Sequence, residues 1–203
     1  MRVLSYRFPS ATIAASFTDG DRDMKRIVCV IFAILLLSAC DSKPSQREIE
    51  SAANKGDSSA QYELYRLYST GKATEGKNDD VAIMWLEKAA EENNSNAQYM
   101  LGTIYNIGSQ GVIKNSQKSA YWLERSVKSG NETALFLTAM NYWYGWGVNK
   151  DPVKAYAYLL VAQSFDNEHA KKQDVEFRYA ISQEQREEAE EMAIAIKKKH
   201  FKK

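Results

Sequence analysis

The sequence predicts an all-α fold: an α-solenoid of about three helix-pair repeats, with a partial unit before them and a capping helix after them. Three observations carry this prediction. The tetrads Tyr68-Ser69-Thr70-Gly71, Tyr105-Asn106-Ile107-Gly108 and Tyr142-Trp143-Tyr144-Gly145 recur at steps of 37 residues, and Ala60, Ala97 and Ala134 keep the same step. Each unit then carries an apolar or small residue four positions after the alanine (Leu64, Leu101, Thr138), a tyrosine four further on, and a glycine that ends the helix. A second helical pattern follows each loop, through Ala82 and Trp85 to Ala89-Ala90, through Ser119 and Trp122 to Ser126-Val127, and through Ala155 and Tyr158 to Ala162. A fixed period of this length is the signature of stacked supersecondary units, each burying its neighbour's face.

The elements follow in order. Residues 41–47, with Pro44 and several polar side chains, read as a flexible tether. Ala52-Ala53 stand 37 residues before Ala89-Ala90, so residues 48–54 form the closing helix of a truncated first unit. In the best-formed unit Ala97, Met100, Leu101, Ile104 and Tyr105 fall at i, i+3, i+4, i+7 and i+8, one apolar stripe. Asn115 is a good N-cap for the next helix, and Asp151-Pro152 gives an N-cap followed by proline at the first helical position. The glycines at 71, 108 and 145 stand where a chain leaving a helix needs positive φ. The third unit is stepped by 36 in its second helix, because Gly145-Trp146-Gly147-Val148 is one residue shorter than Gly108-Ser109-Gln110-Gly111-Val112.

Past Ala162 the period fades. Residues 163–181 read as the end of the last repeat helix plus a further short helix, and Ser182-Gln183-Glu184-Gln185 has the form of a capping box. Residues 182–199 are then a capping helix with Ala189, Met192, Ala193 and Ile196 as its buried stripe, acidic at its start and basic at its end, as the helix dipole favours. The lysine-rich tail 197–203, with His200 and Phe201 inside it, reads as a solvated end.

Length and charge bound the answer further. The 203 residues suit one ordinary domain or a stack of repeats. From Cys40 onward 22 Lys/Arg stand against 23 Asp/Glu, which gives no electrostatic reason to expect nucleic acid.

The N-terminal region reads as an address. Lys25-Arg26, an apolar run from Ile27 to Leu37 and the tetrad Leu37-Ser38-Ala39-Cys40 have the order of a secretory signal, and the run is too short to span a bilayer. The tetrad resembles the bacterial lipobox, which implies lipidation of Cys40 and removal of the preceding residues. One acyl chain holds a protein only marginally, whereas several on one cysteine hold it persistently. Asp19, Asp21 and Asp23 lie where a signal wants positive charge, so translation is expected to begin at Met24. The expected organisation is thus an extension at 1–23, a signal at 24–39, a lipidated cysteine and tether at 40–47, repeats at 48–165 and capping helices with a basic tail at 166–203. Asp41 resembles the signal that retains lipoproteins in the inner membrane of enteric-type bacteria; Ser42 does not reinforce it, and the outer membrane stays open. Cys29 and Cys40 are the only cysteines, so the mature domain is held by packing without disulfides.

Set together, Ala97-x-x-x-Leu101-Gly102-x-x-Tyr105-x-x-Gly108, then Gly111-Val112, then Trp122, resemble the Sel1-like repeat, a relative of the tetratricopeptide repeat. Residues 134–142, Gly145-Trp146-Gly147-Val148, Asp151, Lys154-Ala155 and Ala162 match it again. The first unit departs, with Tyr65 where the second has Gly102 and no Gly-Val pair. The resemblance implies antiparallel helix pairs stacked into a right-handed superhelix that binds another protein without catalysis. Among lipoproteins of this kind it implies either immunity, the blocking of a secreted lipase-type toxin, or an adaptor for cell-wall or envelope enzymes; hydrolase activity ranks last.

The catalytic patterns in the chain are incomplete. Gly71-Lys72-Ala73-Thr74-Glu75-Gly76-Lys77-Asn78 nearly spells a phosphate-binding loop, but Asn78 replaces the hydroxyl that would meet Mg²⁺, and the segment joins two helices. Two histidines 31 residues apart and no cysteine in the mature domain give too few transition-metal ligands. Asp79/Asp80 and Glu91/Glu92 are adjacent in sequence and point apart on a helix. No metal or other cofactor is expected. The residues left over from the repeat are aromatic. Trp143 and Tyr144 stand where the other units carry Ser69-Thr70 and Asn106-Ile107, Trp146 lies between the two loop glycines, and large rigid aromatics near a loop are typical interface anchors. These three are the expected partner-binding residues, with packing of the two tryptophans against the C-terminal helix as the alternative. Trp85, Trp122 and the tyrosines at 68, 105 and 142 read as core.

Overall fold

The computed structural model describes residues 44–201, and the expectations for the signal, Cys40 and Asp41 lie outside them. Among the described residues there are nine helices and no strand: α1 (Gln46–Asn54), α2 (Ser58–Thr70), α3 (Asp79–Glu91), α4 (Ser95–Ile107), α5 (Ser116–Lys128), α6 (Ala134–Tyr144), α7 (Pro152–Gln163), α8 (Glu168–Tyr179) and α9 (Gln183–His200). The fold is an all-α solenoid. Helices α2/α3, α4/α5 and α6/α7 form the three repeats, each an antiparallel-type pair whose members pack chiefly on each other. The lone helix α1 packs on α2 as the closing helix of a truncated unit.

The local chemistry repeats with the period. Asp57, Asn94 and Asn167 cap α2, α4 and α8 through side-chain oxygens, while Asn78, Asn115 and Asp151 cap the second helices. At each loop the N–H of the second helix's cap donates to the carbonyl of the repeat tyrosine: Asn78 to Tyr68 at 3.1 Å, Asn115 to Tyr105 at 2.8 Å and Asp151 to Tyr142 at 2.9 Å. Between units, buried Gln61 and Gln98 donate to the carbonyls of Ala53 and Ala90, and Asn94 and Asn131 donate to those of Ser58 and Ser95. The glutamine bonds add a partner to carbonyls of the last helical turn, where the helix supplies none, and the asparagine bonds tie the first residue of one repeat to the start of the next.

Small residues set the spacing. Ala82, Ala89, Ala90, Ala97, Ala134, Ala155 and Ala162 are fully buried. A Cβ added at Gly102 would lie 2.8 Å from Leu123 Cγ, so the glycine lets the partner helix α5 come close. Gly71, Gly108 and Gly145 take φ of 73°, 73° and 74°, the left-handed exit that glycine allows at little steric cost. Leu64, Leu101, Ile104 and Tyr105 are buried as the stripe requires, whereas Tyr68 and Trp122 are only partly buried at the margin of the same core. Thr138 is buried in place of a leucine, with its hydroxyl bonded to the Ala134 carbonyl.

The C-terminal part differs from a fourth repeat. Helix α8 packs on α7 as the first helix of a next unit would, with N-cap Asn167 and fully buried Ala170. Helix α9 folds onto α7 instead of pairing mainly with α8. Its capping box is formed, with the Ser182 hydroxyl accepting from Gln185 N–H and the Gln185 side chain accepting from Ser182 N–H. The expectation of a solvated tail is corrected at its start: the Phe201 ring lies 5.1 Å from that of Phe165, and His200 Nδ1 sits 3.1 Å from the Lys128 carbonyl. No described helix is long and apolar enough to cross a membrane.

Candidate functional site: the loop edge of the second and third repeats

The three aromatics expected to bind a partner do not form one exposed surface. Trp143 is 8% exposed, and its ring stacks on fully buried Phe177 of α8, with centroids 3.8 Å apart and planes 11° apart. Its ring is covered by Phe177 of α8, so it offers no exposed contact surface, in line with the packing alternative though the cover comes from α8. Tyr144 and Trp146 are each 48% exposed and stack on one another at 4.7 Å. They form a paired aromatic surface at the end of α6 and in the loop after it.

That loop is held by backbone contacts on both sides. Trp146 N–H donates to the Asn141 carbonyl at 2.9 Å. At Gly147, φ is 75° and an added Cβ would fall 2.0 Å from the Ser116 carbonyl oxygen, so the backbone of the third loop lies directly against the start of α5. The approach brings Trp146 beside the second repeat's loop edge. Asn106, Ile107, Lys114, Ser116 and Trp146 line a cleft of about 380 Å³, in which Ile107 is 62% exposed. Sequence reasoning missed Ile107 and Lys114. A signal was present: Lys77, Lys114 and Lys150 recur at steps of 37 and 36, each seated with its Cβ close to the space beside the repeat glycine.

A second polar cluster lies where the second and third repeats meet. The Tyr142 hydroxyl donates to Glu124 and receives a hydrogen bond from Lys154, whose ammonium also stands 4.0 Å from the Tyr142 ring centroid. Lys128 and Lys154 each lie 3.6 Å from Glu124. Burial, and then the Glu124 carboxylate, push the Tyr158 phenol up to about 12. Burial and Asp174 do the same to Tyr156, up to about 12. These phenols stay protonated at neutral pH, and the cluster ties α5, α6 and α7 together. Among the described residues no group of three His, Cys, Asp or Glu side chains is disposed to hold a metal ion.

Stacked helix pairs with an exposed aromatic edge define a repeat protein of the protein-binding class. Residues 58–94, 95–131 and 133–162 match the Sel1 repeat, and the chain belongs to the Sel1 repeat family. It is similar to a solved Sel1 repeat protein from Oxalobacter formigenes, with 39% identity and a TM-score of 0.61 over 64% of this chain and 96% of that one. It also shares the fold of a protective antigen present in uropathogenic Escherichia coli strains, which displays an SLR fold: 22% identity, TM-score 0.56, over 83% of this chain and 44% of that one. This chain therefore spans less than half of the antigen. No curated protein matches it. Sel1 repeat proteins generally mediate protein–protein interaction and typically serve as non-catalytic scaffolds.

Proposed function

We propose that the protein is tethered by lipid at Cys40, faces the periplasm, and acts as an immunity protein that binds and blocks a secreted lipase-type toxin through the loop edge bearing Tyr144 and Trp146. The observation that carries the binding surface is the rigid, half-exposed stack of those two rings beside the Ile107 cleft. Exposed aromatics on an immobile loop present contact area with little ordering cost on association. The address rests on the lipobox-like tetrad ending in Cys40, and the inner membrane is favoured by Asp41.

The test is co-purification from envelope extracts with the tagged full chain beside a Tyr144→Ala/Trp146→Ala variant whose fold is confirmed by circular dichroism. Capture of one toxin-like enzyme by the native chain and its loss with the variant supports the reading. Recovery of cell-wall enzymes by both proteins alike overturns immunity in favour of an envelope adaptor. The tether is checked separately: Cys40→Ala should move the protein from the membrane fraction to the soluble one, and retention in the membrane would refute lipid attachment at that residue.

A further inference from the structure

We infer that the Ile107/Trp146 cleft takes an acidic segment of the partner protein, with one apolar or aromatic side chain of that segment seated between the two rings' edge and Ile107. The inference rests on the protein-binding reading above and adds the chemistry of what is bound.

The first support is the charge of the stack. Residues 45–92, which include the first repeat, carry ten Asp/Glu against six Lys/Arg, while residues 93–165 carry six Lys/Arg against three Asp/Glu. The basic part is the part that holds the cleft. Two of its three carboxylates are already engaged: Glu124 with Tyr142, Lys128 and Lys154, and Asp151 as the cap of α7. Lys114 lines the cleft, Lys118 stands in the first turn of α5 and Lys150 closes the loop of Trp146. Among the described residues none of these three lysines has a carboxylate within ion-pair distance, whereas the equivalent Lys77 of the first repeat is bound to Asp79 at 2.8 Å. Lys114 in the lining, with Lys118 and Lys150 on the flanking segments, gives this edge a positive field that favours acidic arrivals and steers them, an effect that salt screens.

The second support is shape. Gly147 against Ser116 fixes the loop, the Tyr144 ring backs Trp146, and Ile107 is exposed on the other side of a cleft large enough for a single side chain. An apolar pair, Ile107 and Trp146, beside the Lys114 ammonium matches an acidic segment that carries one apolar anchor. A purely basic segment would be repelled by Lys114, and a purely polar one would leave the apolar pair wet.

The test uses fluorescein-labelled peptides in which a single Trp, Phe or Leu is flanked by Asp and Glu, with control peptides carrying Lys at the flanking positions. Binding to the full chain in mild detergent is read by fluorescence anisotropy. The acidic peptides should bind at least about tenfold more tightly than the lysine controls, and raised salt should weaken them. Lys114→Glu and Trp146→Ala should each weaken them about tenfold or more, while Lys72→Glu on the first repeat's edge should leave binding unchanged. Equal binding of acidic and basic peptides, or no effect of Lys114→Glu, overturns the inference. A dimer seen by sedimentation and dissolved by Lys114→Glu would also overturn it, since the occupant would then be the acidic first repeat of a second copy. Failure of this inference is separable from failure of the broader reading: a partner captured from the envelope that needs Trp146 but not Lys114 leaves protein binding intact and removes the acidic segment.

Discussion

The two ends of the stack are closed in different ways. At the N-terminal end, α1 seals the first repeat with hydrogen bonds. Gln46 Oε1 accepts from the N–H and hydroxyl of Thr74 at 2.7 and 2.8 Å, its amide donates to Glu75 at 3.0 Å, and Tyr68 also donates to Glu75. The Gln46 bond is the main cause that holds the Glu75 carboxyl below its usual value. At the C-terminal end, α8 and α9 seal the third repeat with rings: Phe177 on Trp143, and Phe201 beside Phe165, over which Lys197 also sits. The difference bears on function. The polar seal occupies the first repeat's loop with the chain's own side chains, whereas the aromatic seal lies on α8 and leaves Tyr144 and Trp146 in the third loop uncovered.

The largest test of this contrast is Phe177→Ala. The side chain is fully buried and carries the stack on Trp143. Truncation of a buried phenylalanine costs about 3–5 kcal/mol, to be read by urea denaturation with the acidic-peptide assay alongside. Binding per folded molecule should persist, because Tyr144 and Trp146 are fixed by the loop. A loss below about 1 kcal/mol would mean that the C-terminal end is not held by its rings.

A second pair of variants separates rigidity from mere glycine geometry. Gly111 and Gly147 occupy equivalent loop positions with φ of 77° and 75°. A Cβ at Gly111 meets nothing within 4 Å, so Gly111→Ala should cost only the left-handed penalty, about 1–2 kcal/mol. At Gly147 the same Cβ would meet the Ser116 backbone at 2.0 Å, which adds overpacking, and Gly147→Ala should cost about 3 kcal/mol. Equal thermal shifts for the two variants would show that the third loop is free to move away from α5.

These comparisons also show what the sequence could disclose. Caps, exit glycines and the alanine seams are local and periodic, so Asn115, Asp151, Ser182 and Gly108 were legible from spacing alone. The Asp57, Asn94 and Asn167 caps obey the same register and were within reach of the same reasoning. The fate of Trp143 was not, because it depends on where α8 places Phe177 after the period has faded, and a ring that the repeat does not demand looks the same whether buried or presented. The cleft at Ile107 was hidden for a related reason: it forms where Gly147 lets the third loop come into backbone contact with the start of α5.

At the polar end the expected effects are smaller. Gln46→Ala removes the acceptor of the Thr74 N–H and hydroxyl, each an exposed hydrogen bond, and should cost about 1 kcal/mol or less in all. Amide exchange should quicken at Thr74 and leave the amides of α6 and α7 unchanged. A global loss as large as that of Phe177→Ala would break the contrast, since it would make the polar seal as strong as the aromatic one.

The smallest effect is a pH dependence confined to the C-terminal end, where His200 lies against the α5–α6 turn. Burial lowers its pKa from the ordinary 6.5, and the positive charges of Lys199 and Lys128 act the same way; the Lys128 carbonyl at 3.1 Å opposes them without prevailing. The folded chain therefore takes up this proton less readily than the unfolded chain. Its contribution to stability is present in full above the unfolded value near 6.5 and is lost as pH falls through the lower folded value. An NMR titration of the His200 ring should give a midpoint below 6.5, and urea midpoints should fall slightly between neutral and mildly acidic pH. His200→Gln keeps a polar group beside the Lys128 carbonyl and cannot titrate, so it should flatten that slope without lowering stability at neutral pH. Persistence of the slope in His200→Gln would place the titration elsewhere, and a midpoint above 6.5 would mean that the carbonyl bond, and not burial, governs how the tail docks.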